Sequence, residues 1–224
     1  MEISVVEKHP LSLRWNHWIN FPLLSIMVVS GLAIYWANDA YIPGAWLESI
    51  GLGGHLGLAM SWHFVFAIFF ALNGIAYAFF LVKTRHLRYL APDRDSFKES
   101  IRVALHDLGF KKYALLPEQR KYNAAQRLTY SAVFFLGVVA TLSGFAIYKP
   151  LQLNWLLALC GGYEAARFEH FAAMILFILF FVVHIGQVVR AGWRNFSAMI
   201  TGVEVVSPLD IRSEAEDESK STTA

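Results

Sequence analysis

The chain is predicted to be an all-α integral membrane protein: a four-helix bundle with both termini cytoplasmic and a short amphipathic cytoplasmic helix between helices 2 and 3. Three observations predict this. Of its 224 residues, 56% are hydrophobic and only 16% charged, with a mean hydropathy of +0.44; soluble domains carry about a quarter charged residues. The apolar residues are gathered into four long blocks, as a bilayer demands. The basic residues are concentrated on one side of those blocks.

The spans fall at about 15–36, 62–82, 128–148 and 168–189. Each holds about 20 residues, enough for a hydrocarbon core of about 30 Å at 1.5 Å per residue. Trp15, Trp18, Trp36, Trp62, Tyr130, Tyr148 and Trp193 lie near the span ends, where amphipathic rings favour the interface. The first apolar block follows a polar lead and is long enough to span, so it reads as a retained helix rather than a cleaved signal.

Orientation follows from Lys and Arg. Segment 83–127 contains eleven of the nineteen, Lys8 and Arg14 precede the first span, and Arg190 and Arg194 follow the fourth. Segment 37–61 has none, and segment 149–167 has only Lys149 and Arg167 at its ends. The basic side faces the cytoplasm; in the bacterial inner membrane the other face is periplasmic. Residues 1–212 form one membrane domain, and the acidic, polar tail 213–224 is expected to be disordered.

The cytoplasmic segment 95–109 has an apolar stripe at Phe97, Ile101, Ala104, Leu105 and Leu108. Asp95 or Ser96 can cap its start and Gly109 its end. It either lies on the membrane or docks on the bundle. The outer segments 42–60 and 151–166 are too broken to span, and are expected to form a semi-apolar platform. The single cysteine, Cys160, excludes an internal disulfide and any Cys-based zinc or iron–sulfur site; it reads as a small packing residue.

Eight histidines occur. His9, His86 and His106 lie in polar cytoplasmic segments and read as solvated; His55, in a Gly-rich outer loop, is ambiguous. His17, His63, His170 and His184 sit within spans, where a strongly polar side chain needs a partner or a function. His170 and His184 are 14 residues apart, so they return to within about 40° of one face, about 21 Å apart along the axis. His17 lies at the cytoplasmic end of the first span and His63 at the outer end of the second. Depth alone therefore pairs His17 with His184 and His63 with His170.

Each pair suits the two axial positions of a haem, because imidazole is a good iron ligand that need not carry charge. Bis-histidine ligation leaves no open site for substrate and serves electron transfer. Gly31 shares a face with His17 at the depth of the outer pair. Gly74, with Tyr77 a turn further, and Gly137 and Gly144 are further places where a porphyrin edge could fit, or where helices simply pack closely. Zinc or di-iron sites want ligands clustered at one depth with carboxylates, and only Glu169 is near. A histidine proton relay is the remaining competitor.

The lead Arg14-Trp-Asn-His17-Trp, the stretch Lys121-Tyr-Asn-Ala-Ala-Gln-Arg127 and the His170/His184 spacing resemble the di-haem cytochrome b subunits of membrane-bound respiratory oxidoreductases: formate dehydrogenase, nickel–iron hydrogenase and thiosulfate reductase. The resemblance covers residues 10–195. It implies two haems b held by His17, His63, His170 and His184, which would bind the haem iron. It implies electron exchange between a periplasmic oxidoreductase subunit, in some members molybdenum-dependent, and the quinone pool. It also implies a quinone site near the cytoplasmic haem, using Asn123, Gln126 and Arg127. Hydrogenase-type members carry an additional helix for which this chain has no room. The implied partners are quinone, a redox protein and the bilayer, with no nucleic acid.

Asn123, Gln126 and Tyr130 fall on one helical face, with amide and phenol groups able to bond quinone carbonyls. They equally suit a polar helix start. Arg14, Arg190 and Arg194 can meet haem propionates or anionic lipid, with lipid favoured. Two other functions stay open: a stand-alone quinone reductase fed by a small donor such as superoxide, and a non-redox anchor or proton carrier. Near-neutral, apolar outer loops favour docking a protein.

Overall fold

In a computed structural model of the chain, residues 4–37, 49, 56–85, 87–92, 95–107 and 124–206 are described. In chain order the elements are β1 (Ser4–Glu7), α1 (Leu11–Trp36), α2 (Leu56–Lys83), α3 (Leu87–Leu90), α4 (Ser96–Asp107), α5 (Ala124–Tyr148), α6 (Asn154–Leu159), α7 (Tyr163–Thr201) and β2 (Val203–Val206). Four helices, α1, α2, α5 and α7, are long and apolar enough to cross a membrane. They contain the four predicted spans and run past them at one or both ends, because helical hydrogen bonding continues into the polar interface after the apolar run stops. The outer residues 42–48 and 50–55, Gly109, and the tail 213–224 lie outside the described residues.

The chain divides into two compact units, residues 20–181 and residues 1–19 with 182–224. Within the larger unit, aromatic contacts tie the helices together. Tyr35 of α1 stacks on Phe171 of α7 with centroids 5.1 Å apart, Phe64 of α2 meets Tyr148 of α5 at 4.3 Å, and Phe70 of α2 meets Phe177 of α7 edge-on. An amide pair, Asn73 Nδ2 to Asn20 Oδ1 at 2.8 Å, adds a bond between α2 and α1, satisfying two side chains that hydrocarbon could not. Meanwhile Ile75, Phe79, Val82, Phe135 and Leu179 are exposed. Large apolar residues turned outward at this density are what lipid contact requires.

The helix α4 docks on α5, which resolves the two expectations for it, but not through its apolar stripe. Ser96, Ser100 and Val103 are the buried positions, while Phe97 and Ile101 are exposed. Small serines let the two helices approach closely, and Phe97 and Ile101 of the stripe are left exposed. Next to it, Arg127 of α5 is buried and its Nη2 donates to the Ala91 carbonyl at 2.7 Å; Ser131 Oγ donates to the Leu90 carbonyl. These bonds hold the end of α3 to the start of α5.

The outer connection between α5 and α7 is short and ordered. The α6 helix ends in a Schellman turn, with Gly162 N–H bonded to Leu157 C=O and Gly161 N–H to Ala158 C=O. Both glycines have positive φ, 83° and 105°, the region where a side chain would be strained. Leu156 is buried against Ala146 and Ala166, and Cys160 packs at the edge of that cluster. Burial, with Glu169 adjacent, pushes the Cys160 thiol up, so it stays protonated and inert. Leu151, Trp155 and Leu159 are strongly exposed, which gives the described part of the expected semi-apolar platform.

The smaller unit contains the one element that the all-α reading lacks. Strands β1 and β2 pair antiparallel, Ser4 opposite Val206 through Glu7 opposite Val203. This ribbon brings the two ends of the described chain together. The α7 helix reaches it after a break at Gly192 (φ 79°, ψ 174°). The terminal turn is then anchored from the N-terminal segment: Lys8 Nζ donates to Asn195 Oδ1 at 2.7 Å, Trp18 Nε1 to Met199 C=O at 3.1 Å, and Arg14 Nη2 to Ile200 C=O. Arg14 therefore caps helix carbonyls rather than reaching out to lipid.

Gly202 closes this turn with φ 89°, accepts from Lys8 and His9 backbone N–H groups, and faces the Arg14 guanidinium. A Cβ there would lie 3.2 Å from the His9 carbonyl oxygen. Gly202→Ala is expected to destabilise this turn by about 1–2 kcal/mol through the left-handed backbone alone. A thermal melt of the purified protein should show a lower midpoint.

Candidate functional site

Each of the two histidine pairs expected from depth is formed, and each falls within one unit. In the larger unit, His63 of α2 faces His170 of α7 with ring centroids 6.0 Å apart and planes at 77°. In the smaller unit, His17 of α1 faces His184 of α7 at 5.9 Å and 62°. A metal–imidazole bond is about 2 Å and a ring nitrogen lies about 1 Å from its ring centre, so two axial imidazoles on one iron have centroids about 6 Å apart. Both pairs have that spacing. Among the described residues no three His, Cys, Asp or Glu side chains converge as a polydentate metal site would need.

The His63–His170 pair is built in detail. His170 Nδ1 lies 2.9 Å from the Ala140 carbonyl oxygen, so Nδ1–H donates there. His63 is likewise bonded to the Met27 carbonyl. A proton fixed on Nδ1 leaves the Nε2 lone pair as the metal-binding one. Two buried serines complete the contact: Ser30 Oγ is 3.0 Å from His63 Nδ1, and Ser143 Oγ is 3.3 Å from His170 Nδ1.

Beside each serine is a glycine against the same ring. A Cβ on Gly31 would come to 3.2 Å from His63 Cε1, and one on Gly144 to 2.9 Å from His170 Cε1. Of the four glycines expected near a porphyrin, these two touch the imidazoles. Gly74 has nothing within 4 Å, and Gly137 only approaches Phe70 at 4.0 Å. Around His17, the edge of Trp18 stands 5.5 Å away, and Trp18 in turn meets Phe196, so the indole braces the ring from the terminal turn.

A model of the prokaryotic cytochrome b561 family matches residues 8–202. The chain belongs to that family. This cytochrome is accordingly a multi-pass protein of the bacterial inner membrane, of the cytochrome b type found as subunits of membrane oxidoreductases, and it carries haem b. The cytochrome is also similar to the "Putative protein-methionine-sulfoxide reductase subunit YedZ1" of Azospira oryzae, 36% identical over 204 residues, covering 90% of this chain and all of the relative.

The other expected site residues of the cytochrome are distributed differently. Gln126 and Tyr130 are exposed on α5, Arg127 is turned inward onto Ala91, and Asn123 lies outside the described residues, as do His55 and His86. His9 is half-buried rather than solvated, and only the backbone of His106 is described. Arg167 pairs with Glu164 at 3.4 Å, and Lys149 lies over the Tyr148 ring at 4.5 Å. Ser30 and Ser143 were not among the expected residues. A signal for them is present: Ser30-Gly-Leu-Ala-Ile-Tyr35 is matched by Ser143-Gly-Phe-Ala-Ile-Tyr148.

Proposed function

We propose that this cytochrome transfers electrons between a periplasmic redox partner and the quinone pool through two bis-histidine haems, one held by His63 and His170 and the other by His17 and His184. The observation that carries this is the pair of imidazole couples with ring centroids about 6 Å apart, one of them with the His170 Nδ1 bonded to the Ala140 carbonyl. When bound, each haem would supply a one-electron iron couple, held by the two histidines of its pair. The protein's residues hold the His170 Nδ1 against the Ala140 carbonyl and place the Ser30 and Ser143 hydroxyls beside the two rings.

Both termini are cytoplasmic in this reading, supported by the eleven cationic residues of segment 83–127. Residues 1–212 act as one membrane domain and 213–224 as a solvated tail. The partner is a periplasmic oxidoreductase, molybdenum-dependent by the resemblance above; the relative's description as a subunit of a methionine-sulfoxide reductase supports a subunit role. The exposed Leu151, Trp155 and Leu159 offer it an apolar surface. A small anionic donor is less well served, because Arg167 is engaged by Glu164 and Lys149 by Tyr148.

Quinone binds near the start of α5, using Asn123 and Gln126; Arg127 shapes the junction through Ala91. Two measurements test the reading. A reduced-minus-oxidised spectrum with a haem assay should give two haems b per chain, and an absence of haem would refute it. Asn123→Ala and Gln126→Ala should each raise the quinol KM about fivefold, the worth of a hydrogen bond of about 1 kcal/mol, with haem content intact. Unchanged quinol kinetics would remove these residues from the site.

A further inference from the structure

The surroundings of His63 and His170 are two copies of one arrangement. In the first copy, Ser30 of α1 donates to the Ile26 carbonyl at 2.6 Å, lies 3.3 Å from the Met27 carbonyl and sits 3.0 Å from His63 Nδ1. In the second, Ser143 of α5 donates to the Val139 carbonyl at 2.7 Å, lies 3.3 Å from the Ala140 carbonyl and sits 3.3 Å from His170 Nδ1. Met27 and Ala140, each three residues before its serine, accept from the respective histidines.

The match extends further. Gly31 and Gly144 follow the serines and face the rings. Ala33 packs on Ala59, four residues before His63, and Ala146 packs with Ala166, four residues before His170. Each copy is thus a helical hairpin whose first helix presents Ser-Gly-x-Ala to the histidine of its second.

The direction of each bond follows from proton accounting. The serine proton is directed to the carbonyl one turn back, the usual arrangement for a helix-internal serine. The serine oxygen then presents lone pairs to Nδ1–H; in His170 that proton also faces the Ala140 carbonyl and so has two acceptors. Ser30 and Ser143 are 0% and 1% exposed, so no water substitutes for either hydroxyl. An acceptor on Nδ1–H makes the imidazole a stronger donor to a metal at Nε2 and favours the higher oxidation state.

We propose that Ser30 and Ser143 are equivalent positioning residues that orient the two axial imidazoles of one haem and lower its reduction potential. This rests on the assignment of His63 and His170 as that haem's ligands. The inference adds that the two ligands are tuned alike, by the two halves of the chain, and that the haem of His17 and His184 has no such device from these serines.

The test is a redox titration of the full-length cytochrome, following each haem by its absorbance band and by the ferric low-spin EPR signal. Ser30→Ala and Ser143→Ala are each expected to keep two haems and raise the potential of one and the same haem. The double variant should raise it further, and the other haem should titrate as in the parent. Ser→Thr at either position keeps a hydroxyl and should restore the parent value, whereas Ser→Val, of the same shape, should not.

Full haem content with unchanged potentials would overturn the inference, as would a shift confined to the other haem. If an alanine variant loses haem, the threonine and valine forms decide: a potential difference between them supports the tuning role, and equality overturns it. Haem content of His63→Ala and His170→Ala is measured alongside. If those variants retain both haems, the ligand assignment itself fails, which is distinct from serines that leave a correctly assigned haem unshifted.

Discussion

Replacing His63 or His170 with alanine is expected to remove one and the same haem, lowering the haem content from two per chain to one. Replacing His17 or His184 should remove the other. The pairing is what makes the result specific: among the described residues each of these imidazoles faces one other imidazole at about 6 Å, so the four single variants must fall into two spectral classes. A low-spin bis-histidine iron deprived of one ligand becomes five-coordinate and weakly held, so loss of the group is the expected readout of a haem assay and a difference spectrum. A variant pair sorted otherwise, such as His63 with His17, would refute the arrangement.

Gly144→Ala is expected to have the second-largest effect. The added Cβ would lie 2.9 Å from His170 Cε1 and 3.3 Å from its Nδ1. The ring cannot swing away freely, because Ala140 and Ser143 hold that same nitrogen. Overpacking of this kind costs about 1–3 kcal/mol, which is about 5- to 150-fold in haem retention. Gly31→Ala, with its contact at 3.2 Å, should do less. Competition with apomyoglobin for haem gives the ranking; an equal effect at both positions would sink it.

The four spans and both histidine pairs were legible from the sequence because helical period and membrane depth are properties of a single segment. Fourteen residues fix both the face and the level of His170 relative to His184 without reference to any neighbour. What escaped depends on neighbours. The α4 helix was read by its stripe of Phe97 and Ile101, yet it docks through Ser96 and Ser100. Apolarity marks a face that avoids water, and at a membrane both lipid and protein satisfy that. The β1–β2 ribbon joins two four-residue segments from opposite ends of the chain, too short to show alternation and too distant for local pattern to pair them. Ser30 and Ser143 were passed over because a serine inside a span is satisfied by its own helix, and only the packed hairpins show what else its oxygen meets.

Arg127 illustrates the same limit from the opposite direction. Its type and place at a span start suit a ligand contact, but its guanidinium is spent on the Ala91 carbonyl. The buried arginine ties the segment after α3 to the start of α5, and Gln126 and Tyr130 beside it are exposed.

The α7 helix contributes one histidine to each ring pair, His170 to His63 and His184 to His17. It also follows α1, α2 and α5 in the chain. Throughout synthesis and insertion of α1, α2 and α5, neither pair exists, and a nascent chain offers only single imidazoles to a passing porphyrin. On the proposed ligand assignment, cofactor loading would therefore wait for the arrival of α7. On the proposed ligand assignment, a chain truncated before residue 163 would carry two of the four span histidines and hold neither haem.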